Sequence, residues 1–87
     1  MWWVVALNRA VAVAMDEGPE AGLELIDALA SVPALQEYHL LPSARADLLE
    51  KLGRFAEARA EFERAASLTR NARQRQRLEA RAAACAR

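Results

Sequence analysis

The strongest constraint on this chain is a spaced set of small and bulky residues that recurs after 36 positions. In residues 51–68, KLGRFAEARAEFERAASL, Gly53 separates two helical patterns, and Ala58, Phe62 and Ala65 follow it. Their spacing of four and then three places those three residues on one stripe of a helix. Thirty-six residues earlier Gly22 aligns with Ala58, Ile26 with Phe62 and Leu29 with Ala65. Ala10, Ala46 and Ala82 share the same offset, as do Arg9, Arg45 and Arg81. A self-similarity of this length is the mark of stacked supersecondary units, each unable to bury its apolar face alone. Small residues such as Ala46 and Ala58 on facing helices let two backbones come close, and Phe62 fills the space beside them.

Start and stop signals divide the chain into five helical segments. The first covers about Trp2 to Met15. Gly18 and Pro19 end it and open the second, because proline suits the first helical turn. Ser31, Val32 and Pro33 break the second. A third segment starts between Glu37 and Pro42 and runs to Leu52, where Gly53 permits a left-handed cap. The fourth covers Phe55 to Leu68, and Asn71 is a good cap for a fifth. Three glycines and three prolines leave few other breaks, and beyond the first fifteen residues strand formers are sparse and scattered. The expected fold class is all-α, as antiparallel helical hairpins in a single unit over 1–87: one repeat at about 2–31, a second at about 38–69, and a closing helix at about 71–86. With 54% apolar residues, many of them alanine, the core is expected to be thin.

Counted from Gly53, the residues Ala46, Leu49, Ala58, Phe62 and Ala65 resemble the tetratricopeptide repeat. That resemblance implies a fragment of a right-handed α–α superhelix. Pro42, Arg45 and Arg70 depart from the family's usual residues, and Gly18 falls one residue out of register. Two longer strings are more specific: VVALNRAVAVAM at 4–15 and YHLLPSARADLLEKLGR at 38–54, separated by DEGPEAGLELIDAL. Together they resemble the C-terminal tetratricopeptide-like extension of one subgroup of extracytoplasmic-function (ECF) RNA polymerase sigma factors. The resemblance runs from Val4 to about Leu78. It implies a part in transcription initiation, with the sigma domains or RNA polymerase as protein partner. The sequence shows neither sigma domain, nor a helix-turn-helix outside the repeat pattern. A free-standing scaffold or adaptor is the alternative reading.

The formal net charge of zero conceals an asymmetry: residues 1–40 sum to −5 and residues 41–87 to +5. Arg70, Arg73, Arg77 and Arg81 recur at helical spacing and form a candidate basic contact face, expected mainly to solvate the end of the array. That segment has no aromatic residue to stack on bases, so no specific DNA binding is expected. First helices of such hairpins line the usual binding surface, which here would hold Val4, Leu7, Val11 and Met15, then Leu40, Ser43, Asp47, Glu50 and Lys51. Asn8 lies mid-helix, where bonding to a neighbouring backbone is expected. Trp2, Trp3 and Val5 leave an apolar end, from which a homodimer is expected.

Reactive chemistry finds little support. His39 and Cys85 lie in different repeats without a second ligand at usable spacing, so no metal, cofactor or catalytic residue is expected and the chain does not read as an enzyme. Asp16, Glu17 and Glu20 near Gly18 lack the ligand alternation of a calcium loop and read as first-turn helix charges. The lone cysteine and the lack of a leader pattern suggest a cytoplasmic protein. The run Trp2–Met15 is too short, and too interrupted by Asn8 and Arg9, to span a membrane.

Overall fold

A computed structural model describes residues 2–35 and 38–86; Glu37, the earliest start considered for the third helix, and Arg87 lie outside the described residues. The fold is all-α. Its elements are α1 (Trp2–Glu17), α2 (Pro19–Leu29), a 3₁₀ turn (Pro33–Leu35), α3 (Leu40–Lys51), α4 (Phe55–Leu68) and α5 (Ala72–Cys85). α1 packs along α2, α3 along α4, and α5 along α4, while α2 also lies against α3. The packing is consistent with a helical repeat.

Each boundary has a local cause. Pro19 opens α2, where its missing amide would be unpaired in any case. Pro42 is the third residue of α3, still within the first turn where amides lack helical partners, so the helix tolerates it. Gly53 adopts a left-handed φ of 78°. This lets the Arg54 amide donate to the Leu49 carbonyl at 2.9 Å and the Gly53 amide to Glu50 at 3.0 Å, closing the end of α3. The Asn71 side chain accepts from the Gln74 amide at 3.0 Å and caps α5. In the first hairpin α1 continues two residues past Met15, to Glu17, so that Gly18 alone makes the turn; this accounts for its displaced register.

The repeat register is visible in the core. Ala10 and Ala46 are fully buried and Ala82 nearly so, at 0%, 0% and 5% exposure. Ile26 and Phe62, the matched bulky residues, are both fully buried. The two small residues Gly22 and Ala58 are buried as well. The connection between hairpins does more than link them: Leu35, on the 3₁₀ turn, is 1% exposed and joins the core.

At Gly22 the backbones of α1 and α2 come close. A Cβ added there would collide with the Ala14 Cβ and lie 2.9 Å from the Ala10 carbonyl oxygen. Alanine normally favours a helix over glycine by about 0.5–1 kcal/mol. At this position overpacking, about 1–3 kcal/mol, opposes that gain. Gly22→Ala is therefore expected to lower the denaturant midpoint. A raised midpoint would show that the two helices do not meet there.

Candidate interaction surface

The arginine that aligns with Arg9 and Arg45 turns inward from the closing helix. Arg81 on α5 donates from Nη2 to Asp47 Oδ1 at 2.9 Å and to Glu50 Oε1 at 2.7 Å, both on α3. Its guanidinium carbon lies 4.6 Å from the centre of the Phe62 ring, which it helps to cover. Lys51 also reaches Asp47, at 3.1 Å. The Cys85 thiol lies 3.4 Å from Glu50 Oε2 and donates to it. Four α3 and α5 side chains thus form one ion-paired seam, half-exposed, between the second hairpin and the closing helix.

Burial works to raise the Asp47 carboxyl, but hydrogen bonds from Arg81 and Lys51 prevail and hold it below its usual range. Arg81 shifts upward: burial opposes its charge, and hydrogen bonds to Asp47 and Glu50 outweigh that. Burial, and then the bond to Glu50, push the Cys85 thiol up, away from the thiolate that a nucleophile or metal ligand requires.

The pH consequence follows from the sign of the Asp47 shift. A carboxyl depressed in the folded state adds stability above its unfolded value, about 3.9, and loses it as pH falls through the folded value. Arg81→Met is expected to cost on the order of 1 kcal/mol at pH 7, since its ion pairs are partly screened. The gap from wild type should shrink as pH drops from 7 toward 3. A gap constant across that range in urea titrations would mean that the carboxylates draw nothing from Arg81.

This seam revises several sequence expectations. Asp47 and Glu50 are not free on a first-helix surface, because Arg81 from α5 occupies them. Leu7 belongs to the core at 6% exposure, since its face of α1 points into the hairpin. Of the remaining surface residues, Val11, Met15, Leu40 and Lys51 are exposed, while Val4 and Ser43 are half-buried. Asn8 is exposed and so has no burial to enforce a structural bond. The four-arginine face does not form as a helical stripe. Arg70 precedes α5 in the connection, and Arg81 turns to α3, leaving Arg73 and Arg77 exposed one turn apart on the helix. Arg75, between them, donates to the Thr69 carbonyl at 3.1 Å. At the other end Trp2 is 58% and Val5 69% exposed, but Trp3 is half-buried against the core. The two indoles meet edge to face, with centroids 6.3 Å apart.

His39 precedes α3 and stacks edge to face with Tyr38. Among the described residues no group of three or more His, Cys, Asp or Glu is placed to hold a metal ion, and no helix is long and apolar enough to cross a membrane.

Two grooves occupy equivalent places on the two hairpins. On the second, Pro42 and Arg45 of α3 and Glu61 and Arg64 of α4 line a groove that Asp27, Ala30 and Leu35 border from the first hairpin and its 3₁₀ turn. There Arg45 Nε donates to Asp27 Oδ1 at 2.8 Å and its Nη1 lies 3.4 Å from Glu61 Oε1. The matching residues of the first hairpin, Ala6, Arg9, Leu25 and Ala28, line a second groove with Val13, Glu17 and Glu24. The sequence period gives this equivalence; the border that the neighbouring hairpin supplies to only one of the pair is visible in the packing.

No family model matches the chain, and no solved structure matches it. Over 69 residues, 79% of this chain, it is 48% identical to "Uncharacterized protein R00370" of Rhizobium meliloti (strain 1021). The chain spans only 16% of that relative's length.

Proposed function

We propose that the chain is a non-catalytic helical-repeat interaction module and that it acts in transcription initiation, in the manner of the C-terminal extension of an ECF-type sigma factor. The observation that carries the interaction role is the pair of equivalent hairpin grooves, one bordered by residues of the neighbouring hairpin and the other lined by its own hairpin alone. Open helical grooves with apolar floors and charged rims suit peptide or helix partners. The strings at 4–15 and 38–54 support the link to sigma factors. A relative in which the matched stretch is a small fraction fits a module that works inside longer proteins.

In this role the chain contributes surface rather than chemistry. α5 seals the second hairpin through Arg81, which leaves the outer face of the first hairpin and the apolar residues Val11, Met15 and Leu40 for contact. The acidic first half and basic second half orient the module toward partners of differing charge.

The test mixes the purified chain with the two promoter-binding domains of an ECF sigma factor of this subgroup, expressed without their own extension. Isothermal titration is expected to show saturable binding to those domains, or to their complex with core polymerase. Absence of heat with both would remove the transcriptional role and favour a free-standing adaptor.

A further inference from the structure

The first hairpin has a groove at positions 36 residues before those of the groove on the second, and residues of α2 and of the connection after it show what borders the second. In the second hairpin Asp27 of α2 pairs with Arg45, and Ala30 and Leu35 line the apolar side of the groove beside Pro42. Pro42 is buried there and the Arg45 side chain is only 26% exposed. In the first hairpin Arg9 and Ala28 are exposed and Leu25 is 41% exposed. The floor there is apolar, made by Ala6, Val13, Leu25 and Ala28, and Arg9 stands on it where Arg45 stands on the other.

We propose that the α1–α2 groove docks an amphipathic helix from a polypeptide partner, with a carboxylate of that helix paired to Arg9 and small and leucine-sized residues on Ala6, Val13 and Leu25. The partner's chemistry is that of α2 and its 3₁₀ turn: an acidic residue, a small residue one turn later, then a leucine. Among the described residues Arg9 is the one cation lining the groove, enough to pair a single carboxylate but not to neutralise a phosphate backbone beside Glu17 and Glu24, and the apolar floor calls for side chains rather than bases. Helix-in-groove recognition reads such spaced anchors, and the charged pair fixes register. The inference deepens the reading of the chain as an interaction module and rests on it.

The probe is the chain's own bordering segment, a synthetic peptide of residues 19–35, PEAGLELIDALASVPAL, titrated into the isotope-labelled full chain and followed by amide chemical shifts. Saturable shifts are expected at Ala6, Arg9, Val13, Leu25 and Ala28. Arg9→Glu should weaken binding about tenfold, as should Asp27→Lys in the peptide. Combining the Arg9→Glu chain with the Asp27→Lys peptide should restore it, which a merely structural effect of either change would not do. Arg9 is exposed, so the variant is expected to keep the wild-type denaturant midpoint. Shifts confined to α3–α5, or no recovery in the charge swap, would overturn the proposal. If the same groove signals move on dilution of the chain alone, a second copy is the occupant and the proposal fails in that direction. Failure here with sigma-domain binding intact would sink only the groove assignment. Peptide binding without sigma-domain binding would sink only the transcriptional role.

Discussion

Phe62→Ala is expected to lower the unfolding free energy by about 3–5 kcal/mol, the usual cost of emptying a large aromatic site in a core. Phe62 is fully buried on α4, and the ring carries the guanidinium of Arg81 at 4.6 Å. Its removal therefore opens a cavity and also loosens the seam that holds α5 on α3. A domain of this size has a total stability of only about 5–10 kcal/mol. The variant should therefore be partly unfolded at room temperature or lose most of its denaturant resistance. A midpoint within experimental error of wild type would mean that α4 does not pack through this residue.

Ile26→Ala should cost about 2–5 kcal/mol by the same mechanism. Ile26 stands in the first hairpin where Phe62 stands in the second, and it too is fully buried. α2 closes the first hairpin on α1 and also packs against α3 of the second. Loss of its central anchor should weaken both contacts at once. Equilibrium urea unfolding followed by tryptophan fluorescence would show it, because Trp3 packs against the core that Ile26 helps to form. A loss below about 0.5 kcal/mol, typical of surface substitutions, would contradict the equivalence of the two positions.

Much of this fold is legible in the residues because helix ends are local events. Gly18–Pro19, Gly53 and Asn71 act through φ angles and side-chain caps that need no tertiary information, and the structure places helix ends at each. The period of 36 also survives, since burial at Ala10, Ala46 and Ala82 depends on helix faces that recur in register. The destinations of long side chains were not legible. Arg81 shares its spacing with Arg73 and Arg77, yet its guanidinium ends on α3, and only the packing angle of α5 decides that. Leu7 and Asn8 are one residue apart at the edge of a helical stripe, so a modest rotation of α1 sends one to the core and the other to solvent. The 3₁₀ turn leaves only a faint trace in the residues, a leucine two positions after Pro33, where Ser31, Val32 and Pro33 predict a helix break rather than a core contact. The grooves required both hairpins to be placed before their equivalence could mean anything.

The central claim is that one helical-hairpin pattern, repeated at 36 residues, sets both the packing and the open seat on the first hairpin. An alanine-to-leucine scan tests it most directly, read as denaturant midpoints. Leucine at Ala10, Ala46 or Ala82, three buried positions in one register, is expected to cost about 1–3 kcal/mol each through overpacking. Leucine at Ala12, Ala60 or Ala83, all exposed, should change stability by no more than about 0.5 kcal/mol. Uniform small effects at all six positions, or losses that fall on the exposed three, would contradict the repeat.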